Sequence, residues 1–409
     1  MPAPLEYTAA DLGAIGRGLR MPLIEHYFMQ GFQGQEIVAL LGLCHNISIS
    51  LRHLKRLLQQ LNLRRRRQES PVEDIAQVIL RELEGSGRNI GYRLMWHRLN
   101  YIYGLRVTQD TTRRMLNIID PDGVSRRSAH RLQRRVYMCP GPNHTIHIDG
   151  YDKLKPFGIA IHGAVDGFSR RLLWLKAGHS NNNPRLVAKY YIDFIRRSQG
   201  VPKIVRADRG TENTIVHRLQ VALRWHHEDG RAKENSFLYG RSTANQRIEC
   251  MWSQLRRMSM NYWINLFKIC VTKVYLITAT RYKWNVYGFA LSHSFKRIWT
   301  ALLFNGISTV SDSKDKMSVL SGKPDLMYYI PEAFEATDHK MSLDYSNEDL
   351  TQFEREYCET LPRYGCHDFF ANALTELVGD LDQFEMPENV TEAIGLYVAL
   401  NEIFEELEV

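Results

Sequence analysis

The order of strand and helix patterns in the middle of the chain constrains its fold more than any other feature. Apolar residues alternate along residues 145–149, as in a strand with one buried face, whereas along residues 184–198 they recur at helical spacing. The complete series is three strands, a helix, a fourth strand and a second helix, at 145–149, 157–165, 172–177, 184–198, 203–207 and 213–225. This β-β-β-α-β-α order predicts an α/β fold with a mixed sheet flanked by helices.

Two aspartates lie where strand patterns end. Asp149 closes the alternating run that starts at Thr145, and Asp208 follows the fourth strand and precedes Gly210. The surrounding segment, residues 141–310, holds only 10 Asp and Glu against 26 Lys and Arg. Because ligand sites of open α/β sheets collect at the carboxyl ends of strands, this edge is the expected position of a site.

A third acid, Glu249, lies in a segment, Ser242–Met260, that lacks Pro and Gly and has apolar residues at helical spacing. Taken singly, an Asp at a strand end is often a turn residue, and a Glu on a helix is usually solvated. A helix can nevertheless hold Glu249 over both strand ends. Three converging carboxylates are the ligands that hard divalent cations prefer, and two such ions can cut or join phosphodiesters.

The motifs around these acids carry a family resemblance. They read His-Ile-Asp-Gly-Tyr at 147–151, Val-Asp-Gly-Phe-Ser-Arg at 165–170, Asp-Arg-Gly-Thr-Glu-Asn at 208–213 and Asn-Gln-Arg-Ile-Glu at 245–249. From Arg88 to Phe267 the chain resembles the integrase catalytic core of retroviral integrases and related transposases, and in particular a group of integrase core domain proteins scattered through animal genomes. The resemblance implies a ribonuclease H-like fold in residues 141–310.

The same resemblance implies a chemistry. By this resemblance, Asp149, Asp208 and Glu249 are expected to form a catalytic triad that holds two Mg²⁺ or Mn²⁺ ions. The expected activity is DNA nicking and strand transfer by a polynucleotidyl transferase. Asp166 is interpreted as a turn residue before Gly167, and Glu212 as a supporting or exposed group. The alternative function is a domesticated nucleic-acid-binding or scaffolding protein without useful catalysis.

Such a site has to neutralise phosphates, although most basic side chains are simply solvated. The candidate nucleic-acid contacts near the triad are Lys153, Lys155, Arg206, Arg209, Asn245, Arg247, Arg256 and Arg257.

The amino-terminal third predicts two helix-turn-helix units, in residues 1–66 and 67–136. In the first unit, helices at 35–41 and 47–61 are joined through Gly42, which is expected to end the earlier helix. The later helix carries three candidate DNA contacts, Arg52, Lys55 and Arg56.

The second unit ends in a basic linker. Its helices are predicted at 72–84, 91–101 and 108–119, and the last carries Arg113 and Arg114. The Arg runs at 64–67 and 131–135 suit phosphate or minor-groove contact, but they also fit solvated linkers or nuclear-targeting signals. No structural zinc is expected, because His26, Cys44, His45 and His53 lack the paired spacing of zinc ligands.

Residues 270–308 depart from the family pattern and become apolar, aromatic and basic. A local frameshift or gene-model error is one explanation, since permitted codons allow another reading frame to resemble the family. A genuine helical insert is the other.

The net charge of +8 conceals a strong segregation. Residues 1–140 carry +9 and residues 141–310 carry +16, whereas the acidic, helical region 311–409 carries −17. A polyanion, DNA, is the expected partner of the basic part, and a homo-oligomer could pair two DNA ends. The chain shows no bilayer-length apolar stretch and no signal-peptide pattern, so no membrane association and a nuclear location are expected.

Overall fold

A computed structural model provides the coordinates of this chain. The residues that it describes are 20–29, 31–64, 69–128, 137–157, 159–178, 180–240, 245–275, 323–360 and 368–379, with six further positions between 392 and 403. The chain divides into two compact units, Met1–Met138 with Asn305–Thr337 and Cys139–Phe304 with Asp338–Val409.

The first unit is helical. Its helices are α1 (Arg20–Met29), α2 (Gly34–His45), α3 (Leu51–Gln60), α4 (Val72–Glu84), α5 (Tyr92–Tyr101), α6 (Gln109–Ile119), α7 (Pro121–Ser128) and, later in the chain, α12 (Pro324–Tyr329). Helices α1, α2 and α3 pack around Ile24, Leu41 and Leu54, and α12 adds Leu326 to the same core. A second core, formed by α4, α5 and α6, includes Ile79 and Leu99.

The predicted end of α2 at Gly42 is wrong. The helix continues to His45 and stops at Asn46, whose φ of 51° is left-handed and whose N–H bonds the carbonyl of Leu41. Asn adopts this conformation more readily than most residues, so it can cap a helix in place of Gly. Gly42 itself is not sterically required, because a Cβ there would meet no atom within 4 Å.

The second unit contains a mixed five-stranded sheet. Its strands are β1 (Thr145–Tyr151), β2 (Ala160–Asp166), β3 (Leu172–Gly178), β4 (Ile204–Asp208) and β5 (Phe237–Gly240), in the order β3-β2-β1-β4-β5. Strand β2 is antiparallel to both of its neighbours, β1 and β3, whereas β4 runs parallel to both β1 and β5. This is the ribonuclease H-like architecture that the sequence predicts.

The strands differ from the prediction in three ways. Strand β1 continues to Tyr151 and does not end at Asp149. The second strand begins at Ala160 and not at Phe157, because Lys155–Phe157 forms a 3₁₀ turn. Pro156, with its fixed φ and missing N–H, suits that turn better than a strand interior. The short strand β5 was not predicted, since its four residues are too few to reveal an alternation.

The helices of this unit are α8 (Pro184–Ser198), α9 (Thr214–Leu223), α10 (Gln246–Leu255), α11 (Asn261–Tyr275), α13 (Asn347–Tyr357) and α14 (Asp368–Val378). Helices α8, α9 and α10 contact the sheet, and α13 packs against α8. Helix α8 has the predicted bounds, and the Asn183 side chain accepts the Arg185 N–H at its start. The apolar side chains at helical spacing are buried, namely Leu186, Val187, Tyr190, Tyr191, Phe194 and Ile195. The predicted helix Ser242–Met260 is α10 followed by a π-helical turn, Arg256–Met260, that leads into α11.

Several predictions fall outside the described residues. These are residues 241–244 before α10, the Arg runs beyond Arg64 and at 131–135, the divergent segment after Tyr275, and most of the predicted helix Val390–Leu407. In the part of the chain that is described, no helix combines the length and apolarity needed to cross a bilayer.

Candidate active site

The register of β1 and β4 brings two of the three acids together. His147 on β1 is the partner of Arg206 on the parallel strand β4, and Asp149 and Asp208 each lie two residues further along. Equivalent positions of parallel neighbours point to the same face, and the strands lie about 4.8 Å apart. Asp149 and Asp208 are therefore side by side on one face of the sheet, and both are half-buried.

Helix α10 covers this face and bonds directly to Asp149. The indole Nε1–H of Trp252 donates to Asp149 Oδ2 over 2.8 Å. Room for the indole comes from Gly163 on β2, which is the register partner of Asp149. A Cβ at Gly163 would lie 2.9 Å from a Trp252 ring carbon and 2.9 Å from Leu175 Cδ1.

A second anchor holds the start of α10. Asn245, the residue before the helix, is 1% exposed and donates from Nδ2 to the carbonyl of Ile148 over 2.9 Å. Its Oδ1 accepts from His147 Nδ1 over 2.7 Å, which puts the proton of the neutral ring on Nδ1. Burial lowers the pKa of His147 to about 4, so the ring is neutral at physiological pH.

Glu249 lies between these anchors, in the first turn of α10. Its N–H bonds the carbonyl of Asn245 over 3.2 Å, and three residues further along is Trp252. Ile248 and Leu255 bury the inner side of the helix, whereas the Glu249 side chain is exposed. The helix that carries the third acid is thus fixed to β1 on both sides of Glu249.

The electrostatics indicate uncompensated negative charge. Burial, together with the charges of Asp208 and Glu249, raises the pKa of Asp149 to about 7 against the lowering effect of the Trp252 hydrogen bond. Burial and the charge of Asp208 also raise the pKa of Glu249. Among the described residues, no Lys or Arg forms an ion pair with any of the three. A divalent cation would supply the missing positive charge.

The three carboxylates do not form a finished coordination shell. Within the described ranges, no group of three or more His, Cys, Asp or Glu side chains lies close enough to hold a metal ion. The carboxylate oxygens suit Mg²⁺ or Mn²⁺, and Asp149 and Asp208 are already adjacent. The exposed Glu249 side chain is the member that is not packed in place.

Glu212 is a fourth carboxylate close to Asp208. Burial and the charges of Asp208 and Asp152 raise its pKa, which matches a supporting role better than full exposure. The buried amide of Asn213 donates to Glu212 Oε1 over 2.8 Å and is 3.5 Å from Asp208 Oδ1. Asn213 therefore ties the loop after β4 to the end of that strand.

Asp166 has the predicted turn role. It is fully buried and accepts the backbone N–H groups of Ser169, over 2.7 Å, and Asn143, over 2.8 Å. The Ser169 bond closes the turn between β2 and β3, and the Asn143 bond ties this turn to the residues before β1. Asp166 is therefore not a member of the carboxylate group.

The predicted nucleic-acid contacts of the core differ in their environment. Lys153 and Arg209 are exposed, as are Arg256 and Arg257 beside the end of α10. Lys155 is held by Asp152 at 2.8 Å, and the Arg247 Nε–H donates to the carbonyl of Gly167 over 2.9 Å. Arg206 lies half-buried on β4, next to His147 in register.

Asn245 differs from the other predicted contacts because both ends of its amide bond to β1. Its environment is that of a positioning residue, which residue type and motif alone could not reveal. Trp252 and Gly163 were not singled out as site residues. The one available signal for Trp252 was its place three residues after Glu249 on the same helix, which also fits an ordinary core residue.

On the first unit, the three predicted contacts of α3 are exposed on one side of the helix, opposite the buried Leu54 and Leu57. Arg113 and Arg114 on α6 are exposed as well and pair with Asp110 at 3.1 and 2.7 Å.

Comparison with known proteins gives one family match, which lies largely in the second unit. No curated protein matches the chain. Residues 136–295, however, match the family model described as Integrase core domain, and this stretch contains all five strands and the three carboxylates.

Proposed function

We propose that this protein is an integrase- or transposase-like DNA-binding protein that nicks DNA and transfers strands with divalent metal ions. The observation that carries the proposal is the register that sets Asp149 beside Asp208 beneath a helix bearing Glu249. The match of residues 136–295 to the integrase core domain supports the same chemistry.

In this proposal Asp149, Asp208 and Glu249 would hold two Mg²⁺ or Mn²⁺ ions. Such ions, when bound, activate a water or DNA 3′-hydroxyl and stabilise the charge on the departing oxygen. The chain itself contributes orientation: Trp252 fixes one oxygen of Asp149, and Asn245 fixes the helix that carries Glu249. No protein nucleophile is required.

The helical unit would bind DNA through two helix-turn-helix modules. In the first, α3 follows α2 after a short connection, and Ser50 caps α3 by accepting the His53 N–H. Exposed Arg52, Lys55 and Arg56 on this helix would contact phosphates or base edges. A homo-oligomer would then pair two DNA ends, as strand transfer requires.

A strand-transfer assay with labelled duplex oligonucleotides and Mg²⁺ or Mn²⁺ tests the function. The full chain should give joined products that depend on the metal, and Asp208→Asn should abolish them. Glu228→Gln is the matched control, since it removes one exposed negative charge away from the three acids and should retain activity. Absence of products from the unmodified chain, or equal activity in Asp208→Asn, would remove the catalytic claim.

A second function is favoured by one observation, the lack of a finished three-carboxylate group among the described residues. A domesticated descendant would bind DNA without joining it. Normal duplex binding together with no strand transfer in either metal would support this alternative.

We further propose descent from an animal mobile element and action in the nucleus. Terminal inverted repeats beside the gene would support the origin. Imaging of a fluorescent fusion tests the location, and exclusion from the nucleus would contradict it.

A further inference from the structure

The end of the sheet opposite the carboxylates carries a different kind of surface. Strands β1 and β4 are parallel, so the residues that precede them, His144 and Lys203, lie at the same end of the sheet. The N–H of Lys203 bonds the carbonyl of Asn143 over 2.8 Å. Asp208 lies five residues beyond Lys203 along β4, a span of roughly 16 Å at the usual rise per residue.

Positive charge gathers at this end. Burial, His339, and the charges of Lys203 and Arg231 lower the pKa of His144 to about 4. Two neighbouring acids are already engaged, because Asp338 accepts from the Asn143 amide over 2.8 Å and Asp229 pairs with Arg224, whereas Glu228 and Glu234 are exposed.

A flat aromatic surface lies beside these cations. Trp225 follows the end of α9 and is 49% exposed, which is unusual for the largest apolar side chain. Lys233 Nζ lies 5.5 Å from the centre of its ring, within cation–π range. Lys233 has a left-handed φ of 54°, a conformation that costs energy for a residue other than Gly.

The loop that carries Arg231 and Lys233 is braced from inside. Arg224 is fully buried, and its guanidinium bonds Asp229 and lies 3.5 Å from the carbonyl of Arg231. The Lys233 N–H donates to the carbonyl of Arg224 over 3.3 Å. Arg224 thus holds the backbone of the loop that carries Arg231 and Lys233. We call the surface defined by four residues, Lys203, Trp225, Arg231 and Lys233, the Trp225 platform.

We propose that the Trp225 platform binds single-stranded nucleic acid, with a base stacked on Trp225 and the flanking phosphates at Lys233, Arg231 and Lys203. An exposed ring among cations is the combination that single-strand-binding proteins use, because every base has a stacking face and every linkage carries a charge. A duplex hides its base faces and would use only the cations. The proposal does not depend on the carboxylate site, from which the platform is separated by the length of β4.

Fluorescence anisotropy with a labelled eight-nucleotide oligo(dT) and the full chain tests this. Trp225→Ala should weaken binding about 10-fold, and Trp225→Phe should restore most of it, because stacking needs only an aromatic face. Lys233→Gln and Arg231→Gln should each reduce the salt dependence by about 0.7 in the slope of log K against log salt. Tyr357→Ala and Arg355→Gln are matched controls, an exposed aromatic and an exposed cation on α13, and should bind like the unmodified chain.

Three results would overturn the proposal. One is a loss below twofold in Trp225→Ala. Another is a failure of Trp225→Phe to recover binding although its circular dichroism is unchanged. The third is equal competition by polyglutamate, which would identify the platform as a general polyanion surface for acidic protein.

Discussion

The indole of Trp252 reaches Asp149 because position 163 has no side chain. Gly163 faces Asp149 across the β1–β2 ladder, and any Cβ there would enter the space of the Trp252 ring. The sequence could predict that Asp149 lies on a strand, since alternation reveals strands, but not that β1 continues beyond it to Tyr151. It could not predict the glycine beneath the indole, because a cross-strand pair depends on a register that the local sequence does not contain.

Gly163→Ala should therefore displace the Trp252 ring that bonds Asp149. The new methyl group would lie 2.9 Å from both Leu175 and Trp252, which corresponds to a loss of about 1–3 kcal/mol in the free energy of unfolding. Strand-transfer activity should fall as well, because the Asp149 hydrogen bond shifts. Urea unfolding measures the first effect. Gly230→Ala is the control, since a Cβ there meets nothing within 4 Å, and equal unfolding midpoints for the two variants would contradict this account.

Asn245 shows how far a motif can mislead about an individual residue. Its place in Asn-Gln-Arg-Ile-Glu suggested a nucleic-acid contact, but both ends of its amide bond β1. Asn245→Ala would leave the ring of His147 and the carbonyl of Ile148 without these partners, a cost of about 1–3 kcal/mol. Thermal unfolding should show this loss at pH 7, where Asn235→Ala, on an exposed turn, should have little effect. An unchanged melting temperature in Asn245→Ala would remove the anchoring role.

At the scale of elements, helix α10 completes the candidate site, because it carries Glu249 over the strands that hold Asp149 and Asp208. Its apolar stripe, from Ile248 to Leu255, was readable in the sequence and predicted a buried helix. Glu249 needs support whichever explanation of residues 270–308 holds. The hydrogen bonds of Asn245 and Trp252 to β1 provide support that does not involve that segment.

Helix α13 is attached to helix α8 by ion pairs. Glu354 accepts Lys189 Nζ over 2.7 Å and Arg196 Nη2 over 2.9 Å, both from α8, and Leu350 is buried beside them. Burial alone would raise the pKa of Glu354, but the bonds and charges of Lys189 and Arg196 outweigh it and lower the pKa below its usual value. A carboxyl with a lowered native pKa stabilises the fold above its unfolded pKa and loses that stabilisation as the pH falls through the native value.

Glu354→Gln should accordingly destabilise the protein at pH 7 and have progressively less effect below pH ~4.5. The three side chains are partly exposed, so solvent screening limits the difference to about 0.5–1 kcal/mol. Thermal unfolding of both proteins between pH 7 and pH 3.5 measures it. Glu356→Gln, on the exposed side of α13, serves as control. A difference that is constant across this range would contradict the ion-pair account.

For the whole molecule, charge and topology were the most predictable properties. The sign of the net charge of each region follows from counting its acidic and basic residues. The order of strands and helices follows from a hydrophobic periodicity that spans 80 residues. The convergence of the acids was harder to predict. Asp149 and Asp208 meet because backbone register fixes them, whereas Glu249 depends on the rotamer of an exposed side chain that no packing selects.

We propose that Asp149, Asp208 and Glu249 form one site for divalent ions. Isothermal titration of the full chain with Mn²⁺ tests it most directly, using Asp149→Asn, Asp208→Asn, Glu249→Gln and the control Glu228→Gln. The account predicts that the unmodified chain and Glu228→Gln bind Mn²⁺ alike, that Glu249→Gln binds more weakly, and that the two Asp→Asn variants lose the site. No Mn²⁺ binding by the unmodified chain, or undiminished binding in both Asp→Asn variants, would contradict it.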